Sequence, residues 1–136
     1  MGGWLYKGKT WNHISVDAVQ ILRTCWPIAT AGQKKEIAEE MDKMLHKCLT
    51  ESLQPDGSFK PIEADGSIEE CTYFGETLLS RLGYFDPKKC FWSTQTFPEA
   101  EGVRQKMMAF VKKHIGAGAT GGEYYRSALK ELQGKD

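Results

Sequence analysis

The sequence lacks a net charge, because its 18 Lys and Arg residues are balanced by 18 Asp and Glu residues. Nucleic acids and anionic membranes bind proteins through a surplus of basic side chains, so we expect neither as a partner. Long apolar runs are also lacking, which excludes a membrane-spanning helix. No basic segment followed by an apolar stretch is present at the start, so we expect no signal peptide and favour a cytoplasmic location.

Cysteines are few and widely spaced. The four residues Cys25, Cys48, Cys71 and Cys90 form no Cys-x-x-Cys pair, and no His lies at zinc-finger spacing from any of them. We therefore predict neither a metal site nor a cofactor. The first three cysteines fall on apolar helical stripes, which predicts free, buried thiols in a reducing compartment.

What the sequence does contain is helical periodicity. Apolar residues are 40% of the chain, enough for one packed domain over residues 1–136, with an irregular N-terminal segment over 1–11. The predicted helices run from about Asn12 to Ala29, Gln33 to Leu53, Ser67 to Gly83, Glu99 to Ile115 and Gly122 to Gln133. Residues 84–98 are aromatic-rich but bounded by prolines, which predicts a packed loop. The predicted fold class is all-α.

Local signals support these boundaries. Capping boxes begin at Ser67, Thr96 and Thr120, each followed three residues later by a glutamate. Those glutamates (Glu70, Glu99 and Glu123) are therefore interpreted as caps and not as catalytic acids. Glycines that end helices are expected at Gly32, Gly83 and Gly116.

The helices alternate in character. The first and third are apolar on more than one side, whereas the second and fourth have one apolar and one charged side. When helices that are buried on two sides alternate with helices that are buried on one side, the pattern is typical of two concentric layers of antiparallel helical hairpins. The odd-numbered helices would then form the inner layer.

The segment Leu53-Gln-Pro-Asp-Gly-Ser-Phe59 resembles a turn of α/α-toroid proteins. In that turn a Gln is followed by Asp-Gly-Ser and then by an aromatic residue. Residues 72–85 are similar to their inner helices. The turn also has a purely structural interpretation, in which Asp56 and Gly57 form a tight turn and Phe59 fills the space between hairpins. A toroid has about twelve helices, so the resemblance implies a fragment, an incomplete arc or a small array of the same hairpins.

The resemblance includes terpene cyclases, protein prenyltransferases, glycoside hydrolases and polysaccharide lyases. The Asp-x-Asp-Asp motif of the terpene cyclases is absent. Glu69-Glu70-Cys71 only loosely matches the prenyltransferase zinc ligands, and no later inner helix supplies the required His. The resemblance therefore carries no metal or cofactor over to this chain.

Candidate site residues lie in two polar rows on the inner helices. The first helix carries His13, Asp17, Gln20 and Thr24, and the third carries Glu69, Tyr73, Glu76 and Ser80, both at i, i+4, i+7, i+11. Facing each other, these rows would form a groove for a glycan or another small polar ligand, with Trp11 and Trp92 as stacking platforms. Across the groove, Asp17 and Glu76 are the best-spaced acid and base. Alternatively, both rows are solvated surfaces of a helical bundle.

Three functions follow from these patterns. The first is a partial or non-catalytic α/α-toroid-like domain related to carbohydrate-processing proteins, with a glycan-binding groove. The second is a protein-interaction or dimerisation module, because an open arc exposes the apolar sides of its end helices to a second copy or to the missing remainder of a toroid. The third is a small glycosidase- or lyase-like enzyme that uses Asp17 and Glu76.

Overall fold

A computed structural model describes residues 5–6, 9–10, 12–60, 66–116 and 122–134, with side chains described from residue 15 onward. Within these ranges the chain is all-α, as predicted. The helices are α1 (Asn12–Cys25), α2 (Ala31–Lys47), α3 (Ile68–Leu82), α4 (Ala100–His114) and α5 (Gly122–Leu132). In the segment predicted to be irregular, β1 (Leu5–Tyr6) pairs antiparallel with β2 (Lys9–Thr10).

Helix α3 is the centre of the packing. The odd-numbered helices lie side by side, with α3 between α1 and α5, while α4 packs on α5 and α2 contacts both α1 and α3. The buried residues of α3 lie all around it, as predicted: Cys71, Thr72, Gly75, Glu76, Thr77, Leu78, Leu79 and Leu82. Helices α2 and α4 each bury one stripe, also as predicted.

Helix α1, predicted to be apolar and buried on more than one side, is buried on only one of those sides among the described residues. Val16 and Val19 are buried, whereas Ile21 is 63% exposed and Cys25 is exposed. The reason is that α1 packs mainly on α3, and α2 covers little of its other side. The prediction that the Cys25 thiol is buried is therefore wrong.

Two other cysteines are buried as predicted. Cys48 and Cys71 lie in the main core, and all four cysteines are free thiols. Burial raises the pKa of the Cys48 thiol to about 12. Because the thiolate is the reactive form, this cysteine is chemically inert at neutral pH.

The ends of α3 match their sequence signals. The Ser67 hydroxyl accepts a hydrogen bond from the Glu70 backbone N–H at 3.1 Å, which caps the helix. Gly83 ends it in the left-handed conformation, at φ 80°. A Cβ at Gly83 would meet the backbone of Cys90, so glycine is required on both counts.

Two other predictions about where helices begin and end are wrong. The capping box predicted at Thr96 does not form, because α4 begins at Ala100 without a side-chain cap. The Glu99 carboxylate instead accepts a hydrogen bond from the Tyr84 hydroxyl at 3.3 Å. Gly32, predicted to end a helix, lies in the first turn of α2, which is capped by a reciprocal box between Thr30 and Gln33. The box predicted at Thr120 falls outside the described residues.

The turn over residues 53–60 joins the core to α4. The Asp56 carboxylate accepts hydrogen bonds from the Ser58 N–H at 2.9 Å and the Ser58 hydroxyl at 2.6 Å. Gly57, at φ 91°, lies directly against the backbone carbonyl of Lys106. Phe59 is fully buried against Gly75 of α3. The structural interpretation of this turn is therefore confirmed.

A pair of glycine-to-alanine substitutions tests the Phe59 contact. Gly75→Ala should lower the free energy of unfolding by about 1–3 kcal/mol, because its Cβ has no room beside the Phe59 ring. Gly102→Ala in α4 is the control, since no atom lies near its Cβ position; it should raise stability by up to about 1 kcal/mol through helix propensity. Urea denaturation measures both. Equal effects of the two substitutions would contradict the packing of Phe59 on α3.

Candidate functional site

The C-terminal ends of α1, α3 and α5 meet at one end of the molecule. The Arg23 guanidinium of α1 donates to the carbonyl of Arg81 and, at 2.8 Å, to that of Lys89. The Arg81 side chain donates to Gln20 Oε1 at 2.7 Å. Arg104 of α4 donates to the carbonyl of Leu132 in α5 at 2.6 Å. The guanidinium groups of Arg23 and Arg104 thus satisfy last-turn carbonyls of α3 and α5 that have no partner within their helices.

A polar cleft opens at this end, and we call it the end cleft. Its main part has a volume of about 300 Å³, and an adjoining part between α1 and α5 has about 270 Å³. Its charged and hydroxyl groups include Ser80, Asp86, Lys89, Glu101, Arg104 and Glu131. Ser80, Lys89 and Glu131 line both parts. Three different helices and the loop after α3 thus supply polar groups to one space.

Directly behind Ser80 and Glu131 lies a buried carboxyl group. Glu76 is 0% exposed, and its Oε1 accepts a hydrogen bond from the Ser80 hydroxyl at 2.6 Å. Its Oε2 has no hydrogen-bond partner among the described residues. Burial and, next, the negative charge of Glu131 raise the pKa of Glu76 well above its usual value. Both causes favour the protonated, neutral form of this side chain.

A second, aromatic pocket lies further along the same two helices. It has a volume of about 330 Å³ and is lined by Tyr73, Glu123, Tyr124 and Ser127. The rings of Tyr73 and Tyr124 lie 5.6 Å apart, and Tyr124 is 37% exposed. The aromatic pocket therefore combines ring surface with a carboxylate and a hydroxyl group.

Both spaces lie along the contact between α3 and α5, and we refer to them together as the α3–α5 groove. Tyr124, Ser127 and Glu131 share one face of α5 through their i, i+3, i+7 spacing. They meet the row predicted on α3, because Tyr73 lies against Tyr124 and Ser80 lines the end cleft with Glu131. The polar row of α3 thus faces α5.

The residues predicted on α3 all belong to this region. Tyr73 and Glu76 lie on the α3–α5 groove. Glu69 is half-buried in the first turn of α3, close enough to α5 for its charge to add to the raised pKa of Tyr125, after burial. The sequence pattern therefore identified the polar face of α3, but not the helix that it faces.

The site residues predicted on α1 lie in different surroundings. The side chain of Gln20 accepts a hydrogen bond from Arg81 of α3, as two neighbouring rows would require. Asp17 is exposed on α1, and the carboxyl group that perturbs Glu76 is that of Glu131. The pairing of Asp17 with Glu76 stays a prediction.

The tryptophan platform predicted at Trp92 is not at an open surface. Trp92 is 7% exposed in the main core, and its indole N–H donates to the Leu82 carbonyl at 2.9 Å. Its ring therefore offers no open face for stacking. Trp11 and the side chain of His13 lie outside the described residues.

Two residues of the groove were missed by the sequence interpretation. Tyr124 and Glu131 belong to α5, whose apolar stripe was recognised but whose polar face was not considered. Their common spacing with Ser127 was the available signal.

Metal ligands are not gathered in the groove. Across the residues with described positions, no three or more His, Cys, Asp or Glu side chains form a group that could hold a metal ion. In the same part of the chain, no helix is long and apolar enough to cross a membrane.

Comparisons of the chain with protein-family models, with curated proteins and with solved structures find no match in any of the three. Function therefore has to be argued from the chemistry of the groove itself.

The perturbed carboxyl group makes stability depend on pH. In the unfolded chain Glu76 loses its proton near its ordinary pKa, whereas the folded protein holds that proton to higher pH. The protonated Glu76 therefore contributes its full stabilisation at pH values below the pKa that this group has in the unfolded chain. That contribution is lost as the pH rises through the pKa that the group has in the folded protein.

Glu76→Gln removes this titration while keeping a neutral side chain of similar shape. We expect the variant to gain stability relative to the wild type, measured by urea midpoints, as the pH rises above the ordinary pKa of a glutamate, about 4.3. Glu39→Gln, at an exposed position of α2, is the matched control and should follow the wild type. A variant at Glu76 that tracks the wild type at every pH would contradict the assigned environment.

Proposed function

We propose that the chain is an incomplete α/α-toroid-like helical domain that binds a hydroxyl-rich ligand, a glycan, in the α3–α5 groove. The observation that carries the proposal is that an aromatic pocket at Tyr73 and Tyr124 and a polar cleft at Ser80 and Glu131 lie along the same two helices.

The helix arrangement supports the toroid-like part of the proposal. The odd-numbered helices lie side by side, and their C-terminal ends come together at Arg23, Arg81 and Glu131. An arc of inner helices that enter from a common end has this arrangement. The even-numbered helices bury a single stripe each, as outer helices of such an arc would.

The chemistry of the groove supports a glycan. Sugar rings offer apolar faces that pack on aromatic side chains and hydroxyl groups that need several hydrogen-bond partners. Tyr73 and Ser80 are seven residues apart, which is about 10 Å along a helix. The aromatic pocket and the end cleft are therefore close enough for one short oligosaccharide to occupy both.

Titration with oligosaccharides tests the proposal. We expect amide signals of α3 and α5 to shift in NMR spectra when neutral oligosaccharides of several linkage types are added. Tyr124→Ala should weaken the binding of a responding glycan about tenfold, because ring surface is lost, which corresponds to about 1.4 kcal/mol.

The matched control is Tyr124→Phe, which keeps the ring and should bind nearly as well as the wild type. If no oligosaccharide shifts signals of the groove, or if Tyr124→Ala binds as well as Tyr124→Phe, the proposal is wrong.

A second candidate function is association with another copy of the chain. Ile21 and Ile28 are 63% and 85% exposed, and Cys25 between them in the sequence is also exposed, so the C-terminal end of α1 and the turn after it present several apolar side chains. Such groups of exposed apolar residues usually mark protein interfaces.

Light scattering tests this association. We expect a mass above that of one chain at high concentration, and a return to the monomer mass when Ile21 and Ile28 are both changed to Glu. Ile68→Glu is the control, since Ile68 is exposed on α3 and away from these residues. A wild-type protein that stays monomeric at the highest concentrations would exclude the interface.

A further inference from the structure

We infer that the part of the end cleft between α1 and α5 is a subsite for a tetrahedral oxyanion, the sulfate or phosphate ester group of the ligand. The residues that would hold this oxyanion are Arg23, Arg81 and Lys89, which we call the basic triad. The subsite rests on the proposed function, because a glycan is the ligand, and it adds that the glycan carries an acidic ester.

Three cations from three segments converge on this space. Arg23 belongs to α1, Arg81 to the last turn of α3, and Lys89 to the loop that follows α3. They line a volume of about 270 Å³ together with Ser80 and a single acidic residue, Glu131. The Arg23 guanidinium donates to the backbone carbonyls of the other two, which are 58 and 66 positions away in the sequence. The fold therefore gathers the basic triad into one place.

None of these cations has an acidic partner among the described residues. The ion pairs in that part of the chain join other residues. Glu131 lines the same space without forming an ion pair with the basic triad, and its carboxyl group lies close to that of Glu76. Clefts lined by an excess of one charge attract counter-ions, so this space favours an anion.

Arg23 is held in position before any ligand arrives. Both of its hydrogen bonds to carbonyls come from Nη2, and its guanidinium lies over the Phe91 ring, 4.6 Å from the ring centre. Its Nε and Nη1 N–H groups have no hydrogen-bond partner within the described ranges of the chain. A fixed guanidinium with unused donors can bind the oxygens of an oxyanion at little cost in side-chain order.

Two guanidinium groups of the basic triad lie close enough to repel each other. Burial and, next, the positive charge of Arg81 lower the pKa of Arg23. Arg81 itself donates to the neutral side chain of Gln20 at 2.7 Å, which leaves the repulsion in place. An anion bound between the two groups would replace this repulsion by attraction to both.

The helix ends at the cleft do not oppose an anion. The carbonyl of Arg81 accepts from Arg23, and that of Leu132 accepts from Arg104, so cations already offset the partial negative charge of these ends. Three cations match the three terminal oxygens of a sulfate or phosphate ester better than the two oxygens of a carboxylate. Lys89 lines both parts of the end cleft, so a sugar in the main part can place its ester at the basic triad.

Inorganic anions test the subsite without a sugar. NMR titrations at pH 7 with sodium sulfate, sodium phosphate and sodium acetate are compared with sodium chloride at equal ionic strength. We expect sulfate or phosphate to shift the amide signals of the basic triad until saturation, whereas acetate and chloride should not. The sulfate and phosphate titrations also distinguish the two kinds of ester.

Matched tetrasaccharides test the sugar together with its ester. Chitotetraose sulfated at the 6-hydroxyl groups and chitotetraose phosphorylated at the same groups are compared by calorimetry with neutral chitotetraose. We expect at least one of the two esters to bind at least about tenfold more tightly than the neutral form.

Four variants locate the effect, each with its fold checked by circular dichroism. Arg81→Gln and Lys89→Gln change exposed residues, and each should reduce the preference for the ester about tenfold. Glu131→Gln should tighten the binding of the ester, because it removes the acidic residue that lines the subsite. Lys35→Gln is the matched control for lost charge, since Lys35 is exposed on α2 and lines neither part of the end cleft.

Each outcome decides the question. If neither ester binds more tightly than neutral chitotetraose, the inference is wrong, and binding of neutral oligosaccharides alone decides the proposed function. If Arg81→Gln and Lys89→Gln both keep the preference, the anion is held elsewhere and the inference fails. If acetate shifts the same signals as strongly as sulfate and phosphate, the choice of a tetrahedral ester is wrong. If inorganic sulfate or phosphate saturates the basic triad while no glycan binds, the oxyanion subsite stands and the proposed function fails.

Discussion

The burial of α3 on most of its sides is the constraint on which the rest of the structure depends. Each polar side chain that such a helix buries has to find a partner inside the protein. Thr72 accepts a hydrogen bond from the backbone of Phe59, and Thr77 donates to the carbonyl of Tyr73. The Oε1 of Glu76 accepts a hydrogen bond from the Ser80 hydroxyl, and its carboxyl group lies close to Glu131, whereas its Oε2 has no hydrogen-bond partner within the part of the chain that the structure describes. The exception to the rule is therefore also the centre of the candidate site.

Local features of the fold could be predicted because their causes lie within a few residues. The boundaries of α3 follow from a hydroxyl at Ser67 and a left-handed glycine at Gly83. The single stripes of α2 and α4 follow from helical periodicity. The turn at Asp56 and Gly57 follows from a side chain that bonds its own backbone two residues later.

Features that depend on which helices meet could not be predicted in the same way. The exposed side of α1, with Ile21 and Cys25, is apolar enough for a core face but is not covered by the other described helices. Similarly, the polar row of α3 was expected to face α1, whereas it mainly faces α5. Periodicity reports how much of a helix is apolar, not the order in which helices assemble. Glu131 was missed for that reason, although it is the neighbour that matters most to Glu76.

The turn over residues 53–60 has a consequence for the order of folding. Its Gly57 touches the backbone of Lys106, and its Phe59 lies on Gly75, so the turn holds segments together that are distant in sequence. Contacts of such long sequence separation form late, because a large loop has to close first. Even with α1, α2 and α3 already synthesised, one side of this turn would stay open until α4 arrives. Completion of the core is therefore tied to the C-terminal half of the chain, which also carries Glu131.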